Sequence, residues 1–121
     1  MADLLIIDDN IDLLTVLREA VELSGYRVTE AHDGVQALGL LKDGFSPAAI
    51  LCDITLPYMN GLQLLAEIRA NAAWKDITLI AMSGSGDRRK EALAAGADHY
   101  LVKPFSFYDL YAILSAGETP E

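Results

Sequence analysis

Five residues of this chain carry chemistry at places where an ordinary core would not put it. Asp8 and Asp9 follow the apolar run Leu4 to Ile7, and Asp53 closes the run that begins at Ala48. Ser83 follows the run Ile77 to Met82, and Lys103 follows His99 to Val102. An ionised carboxylate at the end of an apolar stretch is costly unless it is paired, hydrogen-bonded or bound to a metal. If the three carboxylates meet, they repel one another, so either some take up protons or a cation sits among them. Oxygen ligands with no Cys or His beside them suit Mg²⁺ rather than Zn²⁺, with Mn²⁺ as the second candidate. Mg²⁺ held by one or two carboxylates commonly bridges to a phosphoryl oxygen, and a Lys and a hydroxyl at the same rim suit the remaining oxygens. Phosphoryl transfer depends mostly on such positioning and charge neutralisation. A carboxylate can itself be the nucleophile and form an aspartyl phosphate. Asp53 is the candidate nucleophile, and Asp8 and Asp9 are the candidate metal holders.

Whether these residues meet depends on the elements that carry them. The run "LLII" is continuously apolar, as in a parallel strand covered on both faces. From Ile11 the positions Leu14, Leu17 and Val21 fall at helical spacing, and Gly25 ends that helix. Tyr26 to Ala31 alternates apolar and polar residues, as a half-exposed strand does. Asp33 is placed to N-cap a helix carrying Val35, Leu38 and Leu41, which stops at Gly44. The strand ending at Asp53 follows, then a loop from Pro57 to Gly61 and a helix with Leu62, Leu65 and Ile68. Ile77 to Met82 is a fourth strand, and Asp87 is expected to cap a helix that passes Leu93 and ends at Gly96. His99 to Val102 is a fifth strand, and the last helix runs from about Ser106 to Ala116.

This is a (βα)₅ pattern, which predicts an α/β doubly wound, flavodoxin-like sandwich with a parallel five-stranded sheet and right-handed crossovers. The most apolar strands, the first, third and fourth, belong in the centre, which gives the order 2-1-3-4-5. Ligands of open α/β sheets bind beyond the carboxyl ends of the strands where the order reverses. Here that point lies between the first and third strands, so Asp8, Asp9 and Asp53 converge there, with Ser83 and Lys103 on the same rim.

Composition narrows the classes. At 121 residues, with 52% apolar and 22% charged residues, the chain is expected to be one globular domain, with a core over about residues 4–116 and a frayed tail over 117–121. No apolar run approaches the ~18 residues of a membrane span, and the N-terminus lacks the basic start of a signal peptide. The formal net charge of −9 argues against a nucleic-acid partner. A single cysteine, Cys52, fits a reducing cytoplasm, and strand alternation points it into the core, away from the side of Asp53. His32 and His99 read as surface residues, and Arg88, Arg89 and Lys90 as a solvated basic face. Tyr108 and Tyr111 on the last helix read as either an output surface or a flank of the core.

Taken singly, the residues also have plainer readings. Asp8 and Asp9 suit a helix N-cap, Asp53 an Asx turn, Ser83 a turn hydroxyl, Lys103 a solvated strand end, and Tyr100 simple packing.

The segments "LLIIDDN", "LCDITLPYMNGLQLL", "AMSGSG" and "AAGADHYLVKPF", in this order and spacing, resemble the receiver domain of bacterial two-component response regulators, with the resemblance running from Leu4 to about Leu114. It implies that Asp53 is the phosphoacceptor and that Lys103 pairs with the phosphoryl group. Asp9 is then the direct Mg²⁺ ligand, Asp8 acts more through water, and Asp53 and the backbone carbonyl of Thr55 complete the protein's share of the metal site. Ser83 supplies a hydroxyl that reaches for the phosphoryl group, and Tyr100 is an aromatic switch that turns inward as Ser83 moves. The Lys103–Pro104 peptide is expected to be cis. Asn60 stands where the family often has Asp, and Gly84 and Gly86 are expected to loosen their loop. Thr55 and Ser85 are small and neutral at positions that shape water access.

The implied partners are a sensor histidine kinase or histidine phosphotransferase as donor and a downstream protein as target. The chain is expected to be a monomer or weak homodimer and not an enzyme beyond its own phosphorylation and dephosphorylation. With no effector domain after Glu121, output is expected through protein contact, unless the chain is a receiver excised from a larger regulator. A non-switching interaction module of the same fold is the second reading, disfavoured by the intact acidic pair, Asp53, Ser83 and Lys103. An aspartate-nucleophile phosphatase or nucleotide-binding enzyme is the third. It is disfavoured because no second Asp lies two residues after Asp53 and no Gly-rich loop follows the first strand.

Overall fold

The computed structural model describes residues 2–55, 60–84 and 86–116. The strands are β1 (Asp3–Ile7), β2 (Arg27–Ala31), β3 (Ala49–Asp53), β4 (Thr78–Ser83) and β5 (His99–Val102). The helices are α1 (Ile11–Leu23), α2 (Gly34–Lys42), α3 (Gly61–Ala70), α4 (Arg89–Ala95) and α5 (Phe107–Ala116). All strand pairs are parallel, and the sheet order is β2-β1-β3-β4-β5, as the sequence pattern predicts.

Strand alternation divides the core into two layers. Leu5, Ile7, Ile50, Cys52, Leu79, Ala81 and Tyr100 face the side covered by α2, α3 and α4. Leu4, Ile6, Ala49, Leu51, Ile80, Met82 and Leu101 face the side covered by α1 and α5. Each central strand therefore buries both faces, which is why it reads as a continuous apolar run. Cys52 is fully buried on the first side, as its parity predicts.

Helix ends follow local chemistry. Asn10 caps α1, its side chain accepting from the Leu13 N–H, so the cap is neither Asp8 nor Asp9. Asp33 caps α2 through the Gln36 N–H, as expected. Gly25, Gly44 and Gly96 follow α1, α2 and α4 at φ +96°, +103° and +119°, a backbone region open to Gly at little cost.

Two expectations are corrected. Asp87 does not cap α4: it lies inside a 3-10 turn, Gly86–Arg88, and the cap residue is Arg88, which makes no side-chain capping bond. The extra turn displaces the helix start by one residue. Val35 and Leu93 sit at helical spacing yet are 64% and 43% exposed, because Ala37 and Ala92 take the inward positions of their helices. The loop from Pro57 to Met59, Ser85 and the tail 117–121 lie outside the described residues.

Two tight contacts fix the helices that frame the site. A Cβ on Gly61 would stand 2.5 Å from the Asp53 carbonyl oxygen and closer still to Ile54 Cα, so the start of α3 packs against the end of β3 with no side chain between them. At the far end of α3, Arg69 donates to the carbonyls of Lys75 (2.9 Å), Ile77 (3.2 Å) and Gly96 (3.0 Å) and pairs with Asp98 at 2.9 Å. This clamp ties the C-terminal end of α4 to α3.

Candidate functional site

The site forms where the sheet ladder runs out. Asp8 extends the ladder one residue past β1, its N–H donating to the Ala31 carbonyl at 3.1 Å. Asp53 is the last residue of β3, and Ile54 N–H donates to Met82 O at 3.0 Å. Ser83 ends β4 and its carbonyl accepts from the Lys103 N–H at 2.7 Å, which sets Lys103 immediately beyond β5. The Lys103–Pro104 peptide is cis, as expected. Parallel pairing thus brings together side chains that are up to 95 residues apart in the chain.

Lys103 is the centre of the arrangement. Its Nζ donates to Asp8 Oδ2 at 2.8 Å and to Asp53 Oδ2 at 3.0 Å. The other oxygens are also held: Asn10 N–H donates to Asp8 Oδ1 at 2.9 Å, and Thr55 donates to Asp53 Oδ1 through both its N–H and its hydroxyl, each at 2.8 Å. Asp8 and Asp53 are buried, at 0% and 3% exposure, Ser83 is buried, and Asp9 is exposed. One carboxylate oxygen from each of Asp8, Asp9 and Asp53 lies within 4.8 Å of the others.

Charge explains the protonation balance. Burial raises the Asp8 carboxyl above its ordinary value, with the charge of Asp53 acting in the same direction; the Lys103 and Asn10 hydrogen bonds oppose this without reversing it. Burial pulls the Lys103 ammonium down, but its hydrogen bonds to Asp8 and Asp53 and their charges outweigh this, so its pKa stands above the ordinary lysine value. With all three carboxylates ionised, three negative charges face one ammonium, a local charge of −2. The donor set is entirely hard oxygen, and this charge matches one divalent cation, so the residues fit Mg²⁺.

The structure brings Asp8, Asp9, Asp53, Ser83, Thr55 and Lys103 to one rim, as the sequence predicts. Tyr100 is buried on the neighbouring strand, against the layer of α2 to α4. His32 and His99 are exposed, and Tyr108 is 82% exposed. Sequence reasoning missed the Thr55 hydroxyl and the Asn10 amide as carboxylate donors and the close approach of Gly61. A Thr two residues after the Asp is a recognisable signal for an Asx-type turn with a second donor. The other two depend on how the loops close.

A sheet of this order with its polar site at the β1/β3 switch point places the chain among the flavodoxin-like doubly wound proteins. Within that class it matches the response regulator receiver domain over residues 4–115, and it belongs to that family: it is a receiver domain of two-component response regulators. The transcriptional regulatory protein CpxR of Klebsiella pneumoniae is 39% identical over 116 residues, covering 96% of this chain and 49% of that protein. The chain spans about half the length of the curated relatives it matches. Among solved structures, the receiver domain of sensor histidine kinase PA1611 from Pseudomonas aeruginosa is 33% identical with a TM-score of 0.85, covering 95% of each chain, and has a magnesium ion coordinated in its active site cleft. The response regulator TrrA from Thermotoga maritima, in complex with Mg²⁺–BeF, is 28% identical with a TM-score of 0.87, covering 97% of this chain and 99% of that one. Receiver domains of this family interact with histidine kinases and downstream effectors. No helix among the described residues is long and apolar enough to cross a membrane.

Proposed function

We propose that Asp53 is the phosphoacceptor of a Mg²⁺-dependent phosphorylation switch. The observation that carries this reading is the Lys103 ammonium bridging Asp8 and Asp53 beside the exposed carboxylate of Asp9. A carboxylate oxygen of Asp53 attacks the phosphorus of the donor. The new O–P bond forms as the bond to the donor's leaving group breaks, either P–N of a phosphohistidine or P–O of an acyl phosphate. The two Thr55 bonds fix the rotation of the carboxylate, and Lys103 is placed to follow the phosphoryl oxygens as charge builds on them. Asp9, Asp8, Asp53 and the Thr55 carbonyl would hold Mg²⁺, which supplies neutralisation of phosphoryl charge.

Ser83, buried at the same rim, is the hydroxyl that engages the phosphoryl group, and Tyr100 is the residue whose position answers it. The donor is a sensor histidine kinase or histidine phosphotransferase, and the output is contact with a downstream protein. Apart from its own phosphorylation and dephosphorylation the domain turns over no substrate, and its compartment is the cytoplasm. A receiver forming part of a larger regulator is the second reading, favoured by the half-length match to the curated relatives.

Intact-mass spectrometry after incubation with acetyl phosphate and Mg²⁺ tests the proposal. One labile phosphoryl adduct is expected, absent in EDTA and in D53N. An adduct that persists in D53N, or none on the folded wild-type protein with acetyl phosphate or phosphoramidate, overturns it. Turnover of an unrelated phosphoester would favour an enzyme instead.

A further inference from the structure

Arg89 is the first residue of α4, and its guanidinium carbon lies 5.1 Å from the centroid of the Tyr100 ring on β5. Tyr100 is buried at 5% exposure, whereas Arg89 is exposed, so the cation covers the ring from the solvent side. A guanidinium over an aromatic face is attracted by the ring quadrupole. The two ends of α4 are held very differently. Its C-terminal end is clamped by Arg69, which bonds the Gly96 carbonyl, and by Gly96 itself, where a Cβ would meet Arg69 Cβ at 2.8 Å. Its N-terminal end has no side-chain cap and follows a 3-10 turn. Of the basic run at that end, Arg88 is engaged within its own segment by Glu91 at 2.6 Å, so Arg89 is the residue that reaches across to the sheet.

We propose that Arg89 is a positioning residue that couples the Tyr100 ring to the start of α4, so that α4 pivots about its Arg69-clamped end when Tyr100 changes place. The inference rests on the proposed switch at Asp53 and adds to it the residue that carries the change outward. With Arg89 over the ring, the buried placement of Tyr100 is favoured. The phosphorylated form draws on that placement, so Arg89 raises the population competent to bind a phosphoryl group, and removing it lowers apparent affinity by the lost fraction. An exposed cation–π contact corresponds to about a two- to fivefold effect.

The test is a titration of the Mg²⁺-loaded protein with beryllofluoride, a phosphoryl mimic, in wild type, R89Q, R89K, Y100L and R89Q/Y100L. R89Q is expected to weaken beryllofluoride binding about two- to fivefold, with Mg²⁺ affinity unchanged. R89K, which keeps the cation, is expected to recover most of the loss. In the Y100L background R89Q should have no further effect, because the ring it acts through is gone. An equal R89Q effect in both backgrounds, or R89Q matching wild type, overturns the proposal. Should Y100L not fold, the R89K and R89Q comparison decides: equal loss in both overturns the coupling through charge and ring. Normal wild-type binding with no effect of Arg89 sinks this inference alone. Failure of wild type to bind beryllofluoride, with no acetyl phosphate adduct on Asp53, removes both readings.

Discussion

Replacing Lys103 with Met keeps the aliphatic stem and removes the only ammonium bonded to Asp8 and Asp53 among the described residues. In K103M two carboxylates, 0% and 3% exposed, would face each other without a counter-charge. Removing one partner of a buried ion pair costs about 3–5 kcal/mol. The Lys103 side chain is 24% exposed, so screening by water puts the expected loss at the lower end, about 3 kcal/mol in the metal-free protein at pH 7. For a domain of this size that lowers Tm by about 10 °C. The pH dependence follows from the signs of the shifts. The Lys103 pKa is raised, so its contribution is complete at neutral pH and is lost only as pH rises through that raised value. On the acid side, Asp8 also has a raised pKa and takes up a proton early, which removes the repulsion that K103M exposes. The deficit should therefore shrink between pH 7 and pH 4, and also shrink when saturating Mg²⁺ replaces the missing positive charge. Thermal unfolding by circular dichroism in EDTA and in Mg²⁺, across that pH range, measures it. K103M as stable as wild type at pH 7 in EDTA, or a deficit indifferent to both pH and Mg²⁺, would refute the electrostatic account of the site.

Other expectations follow from the same geometry. Because burial raises the Asp8 pKa, the folded state binds the extra proton between the ordinary and raised values, and metal-free stability falls as pH rises through that window. D8N should therefore raise the metal-free Tm at pH 7 while diminishing the stabilisation by Mg²⁺, both read by calorimetry with and without MgCl₂. T55V removes the hydroxyl bond to Asp53 Oδ1 and keeps the amide bond, so it should cost about 1 kcal/mol. It should also slow acetyl phosphate labelling by several-fold at unchanged donor concentration, followed by intact mass. G61A forces α3 away from the end of β3 and should cost about 1–3 kcal/mol in urea unfolding.

Much of this architecture was legible in local patterns. The continuous apolar runs of β1, β3 and β4 marked them as central, the alternation in β2 marked an edge, and Gly25, Gly44 and Gly96 marked helix ends. Each of these is set by neighbours within a few residues or by burial on both faces. Exposure of Val35 and Leu93 was not legible, because which residue of a helix turns inward depends on how the helix rolls against the sheet. The shift of the α4 cap from Asp87 to Arg88 was missed for a related reason: capping chemistry favours Asp87, but the 3-10 turn decides where the α-helix begins and leaves Arg88, which has no acceptor to offer, at the cap position.

For the site, the sequence alone determined the residue types and the strand ends on which Asp8, Asp9, Asp53, Ser83 and Lys103 stand. The strand order then followed from apolarity, and with it the convergence at one rim. Tertiary structure decided how the charges are shared. Lys103 Nζ divides itself between Asp8 and Asp53, Thr55 and Asn10 hold the remaining oxygens, and Asp9 is left facing solvent. Tertiary structure also placed Arg89 on Tyr100 and Arg69 on Gly96. The Lys103, Arg69 and Arg89 contacts join separate elements of the fold, and their energies depend on distances of a few ångströms and on local burial. No composition, period or motif specifies either until the sheet and its helices have packed.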